Sequence, residues 1–243
     1  MRQLLVVDLG AMPYGPALDL QRAVARARID SQIEEDLLLL VEHPPVVTLG
    51  RGSRDAHLLA SAELLAARGV ERFEVERGGD VTFHGPGQLV GYPIVDLKHH
   101  RQDLHWYLRQ VEEALIQALA QYGLPGERNA GFTGVWTRGG KPAVPTAPPR
   151  KIASIGVHAR DWVTWHGFAL NVTTDLSYFN LIVPCGIAGV EMTSLARELG
   201  RDDIPLPGVA QHVAQAFGSV FGLAIVRRTL ESLPVYVAAT RHS

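Results

Sequence analysis

The sequence predicts an α+β fold, a mixed and largely antiparallel central sheet flanked by helices. Strand-like segments outnumber helical ones, and the helices do not alternate strictly with strands as a doubly wound sheet would require. Apolar residues make up 47% of the 243, enough for one sizeable core and consistent with a single domain over residues 1–243. No internal repeat or low-complexity segment divides the chain.

Taken in order, residues 4–9 (L-L-V-V-D-L) read as a strand. From Tyr14 the pattern turns helical, with Leu18, Gln21, Arg22, Ala25 and Arg28 on helical spacing and an alanine-rich stretch at 17–27. Arg22, Arg26 and Arg28 form a row expected to be that helix's solvated face. Residues 36–43 are an apolar strand; Pro44 and Pro45 then lead into a second one, 46–49, expected to lie beside the first. A short helix at 61–68 stops at Gly69, and 70–76 alternates like a half-exposed strand. Residues 89–97 form another apolar strand, where Pro93 predicts an edge or a bulge because proline cannot donate to a ladder. Residues 103–122 carry apolar positions at 3–4 spacing, closed by Gly123 and Pro125. His99, His100 and His105 gather at its start without H-E-x-x-H or a carboxylate at ligand spacing, so no metal site is expected.

Residues 134–137 are a short strand. The loop 138–150 (R-G-G-K-P-A-V-P-T-A-P-P-R) has no periodicity and is rich in proline. A hairpin follows, 151–158 and 162–172, turning through Ala159, Arg160 and Asp161. Asp175 opens a turn, and residues 181–183 lead into Pro184-Cys185-Gly186. A helix begins after Thr193 or Ser194, the last long helix spans 207–221, and strands at 223–230 and 235–238 close the chain.

The charge balance excludes several partners. A net charge of −2 leaves no footprint for nucleic acid. The apolar runs fall far short of the roughly 20 residues of a membrane span. Asp8 interrupts the short apolar run near the N-terminus, which fits neither a signal nor a transit peptide, so a cytoplasmic protein is expected. Cys185 is the only cysteine, which rules out an internal disulfide framework and a Cys-cluster metal site.

Two stretches carry chemistry. Residues 77–93 read R-G-G-D-V-T-F-H-G-P-G-Q-L-V-G-Y-P, with glycines at 78, 79, 85, 87 and 91 and polar Arg77, Asp80, Thr82, His84 and Gln88 between them. Glycine lets a backbone turn tightly or approach a ligand closely, so the stretch reads as two turns around a short strand or as a binding loop. Its lack of Lys-Ser/Thr makes a phosphate loop a weak reading. The second stretch displays Cys185 on a Pro-x-Gly turn. A thiol becomes nucleophilic as its thiolate, so it needs a cation or a base nearby. Lys151 and His84 are the two candidates, and spacing alone does not choose between them.

Four segments in order, 77–93 above, R-K-I-A-S-I-G-V-H at 150–158, H-G-F-A-L-N-V at 166–172 and F-N-L-I-V-P-C-G-I at 179–187, resemble the octanoyltransferases of lipoate biosynthesis. These share a fold with the biotin and lipoate protein ligases. The resemblance covers about residues 37–199, implying a ligase-like catalytic core over about 34–220. It implies that Cys185 takes an octanoyl group from acyl carrier protein and that Lys151 lowers the thiol's pKa and handles the proton of the incoming amine. The acceptors it implies are lysines of apo lipoyl domains, in 2-oxoacid dehydrogenase complexes and glycine cleavage H protein. Substrate contacts are implied at Arg77, Gly78, Gly79, Asp80, Val81, Thr82, Phe83 and His84, at Ser154, Ile155 and Gly156, and at Gly167, Phe168 and Ala169. Gly156 and Gly167 are expected to leave room for an acyl chain, and backbone N–H groups near Cys185 or at Gly78-Gly79 to polarise the thioester oxygen. No cofactor is expected, and the enzyme is expected to act as a monomer. The acidic carrier suggests a basic docking face from Arg138, Lys141, Arg150, Arg51 and Arg54. The alternative is an ATP-dependent ligase of the same fold. The proline-rich 143–149 segment departs from the family pattern.

Overall fold

A computed structural model describes residues 2–139, 148–187 and 189–233. The predicted strand at 235–238 and most of the proline-rich loop lie outside them. β1 (Gln3–Ala11) runs parallel to β2 (Asp36–Glu42), and α1 (Tyr14–Ile29) makes the crossover. Arg22 and Arg26 face solvent on α1, paired with Glu76 and Asp30. Arg28 departs from the expected row. It is 3% exposed and sits against Asp36 (3.4 Å) and Asp96 (3.7 Å). At about 100° per residue, two positions beyond Arg26 is the opposite side of the helix. His100 joins this network, its Nε2 2.7 Å from Asp36 Oδ2.

β3 (Val46–Leu49) is not the neighbour of β2. It pairs with β4 (Glu71–Glu74) and β5 (Val81–His84) in a separate three-stranded sheet, in the order β4-β3-β5. Pro44 and Pro45 hold the intervening chain extended and deprive it of donors, so it passes to a second layer instead of folding back. β2 instead pairs antiparallel with β6 (Gln88–Ile94).

β6 is a central strand, so of the edge or bulge that Pro93 predicts, the edge does not hold. Its ladder with β10 (Val163–Asn171) runs from Asn171 opposite Gln88 to Phe168 opposite Gly91. It stops where His166 adopts φ +56°, so Pro93 has no registered β10 partner to miss its N–H. Its carbonyl accepts from the hydroxyls of Tyr107 (3.3 Å) and Thr164 (3.1 Å). The strand thus keeps its place despite the proline.

The large sheet continues through β9 (Arg150–Arg160), β8 (Phe132–Thr137) and β7 (Glu127–Asn129). With β11 (Ala224–Arg228) beside β1, its order is β11-β1-β2-β6-β10-β9-β8-β7, parallel at one end and antiparallel beyond β2. The β9–β10 hairpin turns on Asp161 and Trp162, both at positive φ (51° and 63°), one residue later than expected. α3 (Leu104–Ala120), capped by Asp103, and α5 (Leu206–Phe221) bury one face of the sheet, with Phe168 and Leu170 of β10 in their core. α1 packs on the other face over Leu37, Leu39, Val90 and Tyr92. The short helices α2 (Ala62–Ala67) and α4 (Leu195–Leu199) are capped by Ser61 and Ser194. The small sheet stands on the α1 side, and a cavity opens between the two sheets.

Candidate active site

The cavity has a volume of about 410 Å³. Its floor is the large sheet. Ser154 of β9, Ala169 of β10 and Val90 of β6 lie in one row across the strands, and Gly156 and Gly167 face each other in the next. Its roof is β5 with the turn before it. Side chains of a strand alternate between faces, so Thr82 and His84 of β5 line the cavity. Val81 and Phe83 turn instead into an apolar cluster with Phe179 and Leu181. The predicted contacts Val81 and Phe83 are therefore roof-packing residues. Gly78 also stays outside the lining; its N–H is committed to Val157 O at 2.8 Å, so it is not free to polarise an acyl oxygen. The same pleat turns the Ile155 and Phe168 side chains towards the α5 core, although both residues border the cavity.

The glycines serve approach between chain segments more than acyl room. A side chain at Gly156 would strike Gly78 O (2.9 Å) and Arg77 Cδ (3.1 Å), and one at Gly167 would strike the backbone of Gly91. The buried Arg77 holds this roof together. It donates to Thr48 O (2.7 Å), Thr48 Oγ1 (2.8 Å), Asp80 O (2.7 Å) and Gly78 O (3.2 Å).

Cys185 lies at the cavity wall on a 3-10 turn, Pro184–Gly186, at φ +56° and ψ +19°. A non-glycine residue in this left-handed region costs about 1–2 kcal/mol, and such strain persists where the surroundings over-determine it. Here Val183 N donates to His57 O (2.7 Å), Gly186 N to Val183 O (2.9 Å) and Ile187 N to Pro184 O (3.1 Å). Gly186 is also left-handed at φ +66°, and a side chain there would strike the Asp80 carboxylate, which accepts from His57 Nδ1 at 2.5 Å.

Lys151 comes to the thiol from the start of β9. Met192 runs beside it, with Lys151 N donating to Glu191 O (2.8 Å) and Thr193 N to Lys151 O (2.9 Å). Lys151 Nζ donates to Cys185 Sγ at 3.2 Å, and Ser154 Oγ stands 3.6 Å from the sulfur. The lysine is 1% exposed and makes no carboxylate ion pair among the described residues. The other candidate base is engaged elsewhere. His84 Nδ1 meets Gln88 Oε1 at 2.8 Å, and the ring stacks on Tyr14.

The inner end of the cavity was not foreseen. Tyr14, Tyr92 and His166 join His84 there. Burial, reinforced by neighbouring His43, pushes His84 down to about 3, and burial pushes His43 down to about 4 and Tyr14 up to about 12. These rings are therefore uncharged at neutral pH. Gly131 of the β7–β8 turn and Phe132 and Thr133 at the start of β8 border the mouth, where Phe132 is 40% exposed. The glycine at 131 was the one local signal for that turn. Taken together, the cavity offers an inner end of uncharged rings, an accessible sulfur and a buried amine beside it, a set suited to thioester exchange with an acyl group.

Known proteins resemble this chain in sequence and in fold. The Lipoyl protein ligase A/B catalytic domain family matches residues 13–218. An octanoyltransferase of Rubrobacter xylanophilus is 52% identical over 88% of this chain and 91% of its own, and that of Gloeobacter violaceus is 46% identical over 96% of each. Among solved structures, a bi-partite lipoate protein ligase of Thermoplasma acidophilum superposes with a TM-score of 0.75 at 15% identity, over 100% of this chain and 92% of that one. Lipoate-protein ligase A bound with ATP gives 0.69 at 16% identity, covering 100% and 94%. At such identities the likeness is one of fold. By family match and by close relatives, the chain belongs to the lipoyl protein ligase A/B catalytic-domain family, and within it to the octanoyltransferases.

Proposed function

We propose that this octanoyltransferase takes the octanoyl group of octanoyl-acyl carrier protein onto Cys185 as a thioester and passes it to a lysine of a lipoyl domain. The observation that carries this reading is the buried Lys151 ammonium, 3.2 Å from Cys185 Sγ, with no carboxylate partner among the described residues. An isolated buried charge is costly. A thiolate opposite it supplies the missing counter-charge, so the pair favours the nucleophilic form of the sulfur.

The proton then follows the geometry. The Cys185 thiolate attacks the donor's carbonyl carbon, the bond to the pantetheine sulfur breaks, and that sulfur leaves with a proton from Lys151. Lys151, now a neutral amine, stands beside the new thioester. An acceptor lysine arriving neutral attacks the same carbon and expels the Cys185 thiolate. The proton it sheds on becoming an amide returns to Lys151, which restores the ion pair. Thioester-to-thioester exchange is near balance and thioester-to-amide transfer runs downhill, so neither step calls for ATP. The Ser154, Gly156, Gly167 and Ala169 floor and the Arg77, Gly79, Asp80, Thr82 and His84 roof enclose the acyl chain.

The experiment is transfer from octanoyl-acyl carrier protein to an isolated apo lipoyl domain without nucleotide. Product is expected from the wild type, none from Cys185→Ala, and a rate lower by about 10²–10⁴ from Lys151→Ala. Product that forms only with free octanoate and ATP would instead identify a ligase.

A further inference from the structure

We propose that Trp136 is the positioning residue for Lys151, a neutral π face that holds the ammonium where a carboxylate would disable it. The inference rests on the Cys185–Lys151 reading above and adds what keeps the amine in place. Trp136 and Lys151 are directly opposed across the β8–β9 ladder, just past a register shift between Val135 and Trp136. Lys151 Nζ lies 5.4 Å from the centroid of the indole, within the range of cation–π attraction. Trp136 is itself buried, and its Nε1 finds no hydrogen-bond partner among the described residues. Its ring is therefore fixed by packing and is not held in place through its N–H.

The lysine stem is pinned from a second side. A side chain at Gly134 would come within 2.8 Å of Lys151 Cε and 3.3 Å of Nζ. Gly134 stands at φ +133°, and its N–H is anchored on Glu112 Oε1 at 3.1 Å. Glu112 is fully buried but makes its ion pairs with Arg109 (2.6 Å) and Arg128 (3.2 Å), not with Lys151.

The chemical logic is one of competition. A lysine side chain has four rotatable bonds, and holding it still needs a partner. A carboxylate would serve but would take up the ammonium's donors and its charge, leaving less of both for the sulfur. An indole face attracts the cation through its quadrupole and accepts no strong hydrogen bond, so the donors stay directed at Cys185. In the second half-reaction the amine is neutral and the cation–π attraction lapses, but the face still presents no strong donor to compete for its lone pair.

The test is a graded series at position 136. Tryptophan is replaced there alone by mono-, di- and trifluorinated tryptophans, which keep the shape while weakening the face, and by Trp136→Phe and Trp136→Leu. The first readout is iodoacetamide alkylation of Cys185 against pH; the second is kcat and KM for octanoyl transfer. Alkylation at neutral pH is expected to fall stepwise with fluorination, and its pH profile to move to the alkaline side. Trp136→Leu is expected to lose about 10- to 30-fold in kcat with KM unchanged, Trp136→Phe to recover most of it, and Trp136→Leu to add nothing on a Lys151→Ala background. A flat fluorinated series, or an equal loss with and without Lys151, overturns the inference. If Lys151→Ala itself leaves alkylation and transfer unchanged, the Cys185–Lys151 reading fails as well.

Discussion

Cys185 and Lys151 show how little of a site need be regular. One sits in a left-handed turn and the other at the start of a strand, and each is placed by backbone hydrogen bonds from elsewhere, His57 O for the cysteine loop and Glu191 O for the lysine. The sulfur's display was legible in Pro184-Cys185-Gly186. Its partner was legible only through the family resemblance, which implied Lys151; spacing alone left Lys151 and His84 open, and the fold bonds His84 to Gln88 instead. The buried histidines have a consequence for stability. His84 and His43 have folded values of about 3 and 4, below the ordinary 6.5, so below pH 6.5 the unfolded chain takes up protons that the folded chain refuses. Their contribution is complete above about pH 6.5 and is lost as pH falls towards those values, by up to about 1.4 kcal/mol per pH unit for each proton. Glu76, held well below the usual carboxylate range by His166 first and then by Arg22 and Trp165, adds a loss of the same sign at lower pH. Urea midpoints between pH 7 and 4 should drop steeply, and His84→Gln should make the slope shallower by about one proton. An unchanged slope would show that His84 does not contribute.

At the level of elements, most helices and strands were legible because caps and periodicities are local. Asp103, Ser61 and Ser194 cap where the pattern changed, and the β9–β10 hairpin needed only its turn moved by one residue. Tertiary pairing was less legible. Pro44-Pro45 marked a break but not that β3 would leave the sheet of β2. Pro93 signalled an edge or a bulge and sits in a central strand, because the bend at His166 had no counterpart in any local pattern. The Val135–Trp136 register shift that sets Trp136 opposite Lys151 is likewise invisible in sequence, since a one-residue slip changes which faces meet. Arg28 was readable in hindsight from helical angle alone. Removing its charge leaves Asp36 and Asp96 buried, so Arg28→Ala should cost about 3 kcal/mol and lower Tm by roughly 6–12 °C. Arg26→Ala, on the solvent side of α1, should change stability by less than about 0.5 kcal/mol. Equal effects of the two would contradict the buried network.

At the level of the whole molecule, the docking face expected from sequence needs revision. Arg138 and Arg150 are engaged with Glu127 (2.8 Å) and Glu198 (2.7 Å), and Lys141 lies outside the described residues. Arg51 and Arg54 are exposed and make no carboxylate ion pair among the described residues. Their loop is fixed beside the cavity roof through Arg51 N to Arg77 O and Gly52 N to Gly79 O, both 3.0 Å. An acidic carrier would meet its charge there. Arg51→Glu with Arg54→Glu should raise KM for the carrier by about tenfold at low salt, with kcat unchanged and the effect shrinking as salt is added. An unaltered KM at low salt would place docking elsewhere.

Intact-mass spectrometry of the protein mixed with octanoyl-acyl carrier protein in the absence of ATP shows whether the octanoyl group rests on Cys185. A mass increase of one octanoyl group is expected, removed by hydroxylamine and absent from Cys185→Ala. An adduct that survives in Cys185→Ala, or transfer to the lipoyl domain by that variant at the wild-type rate, would contradict it.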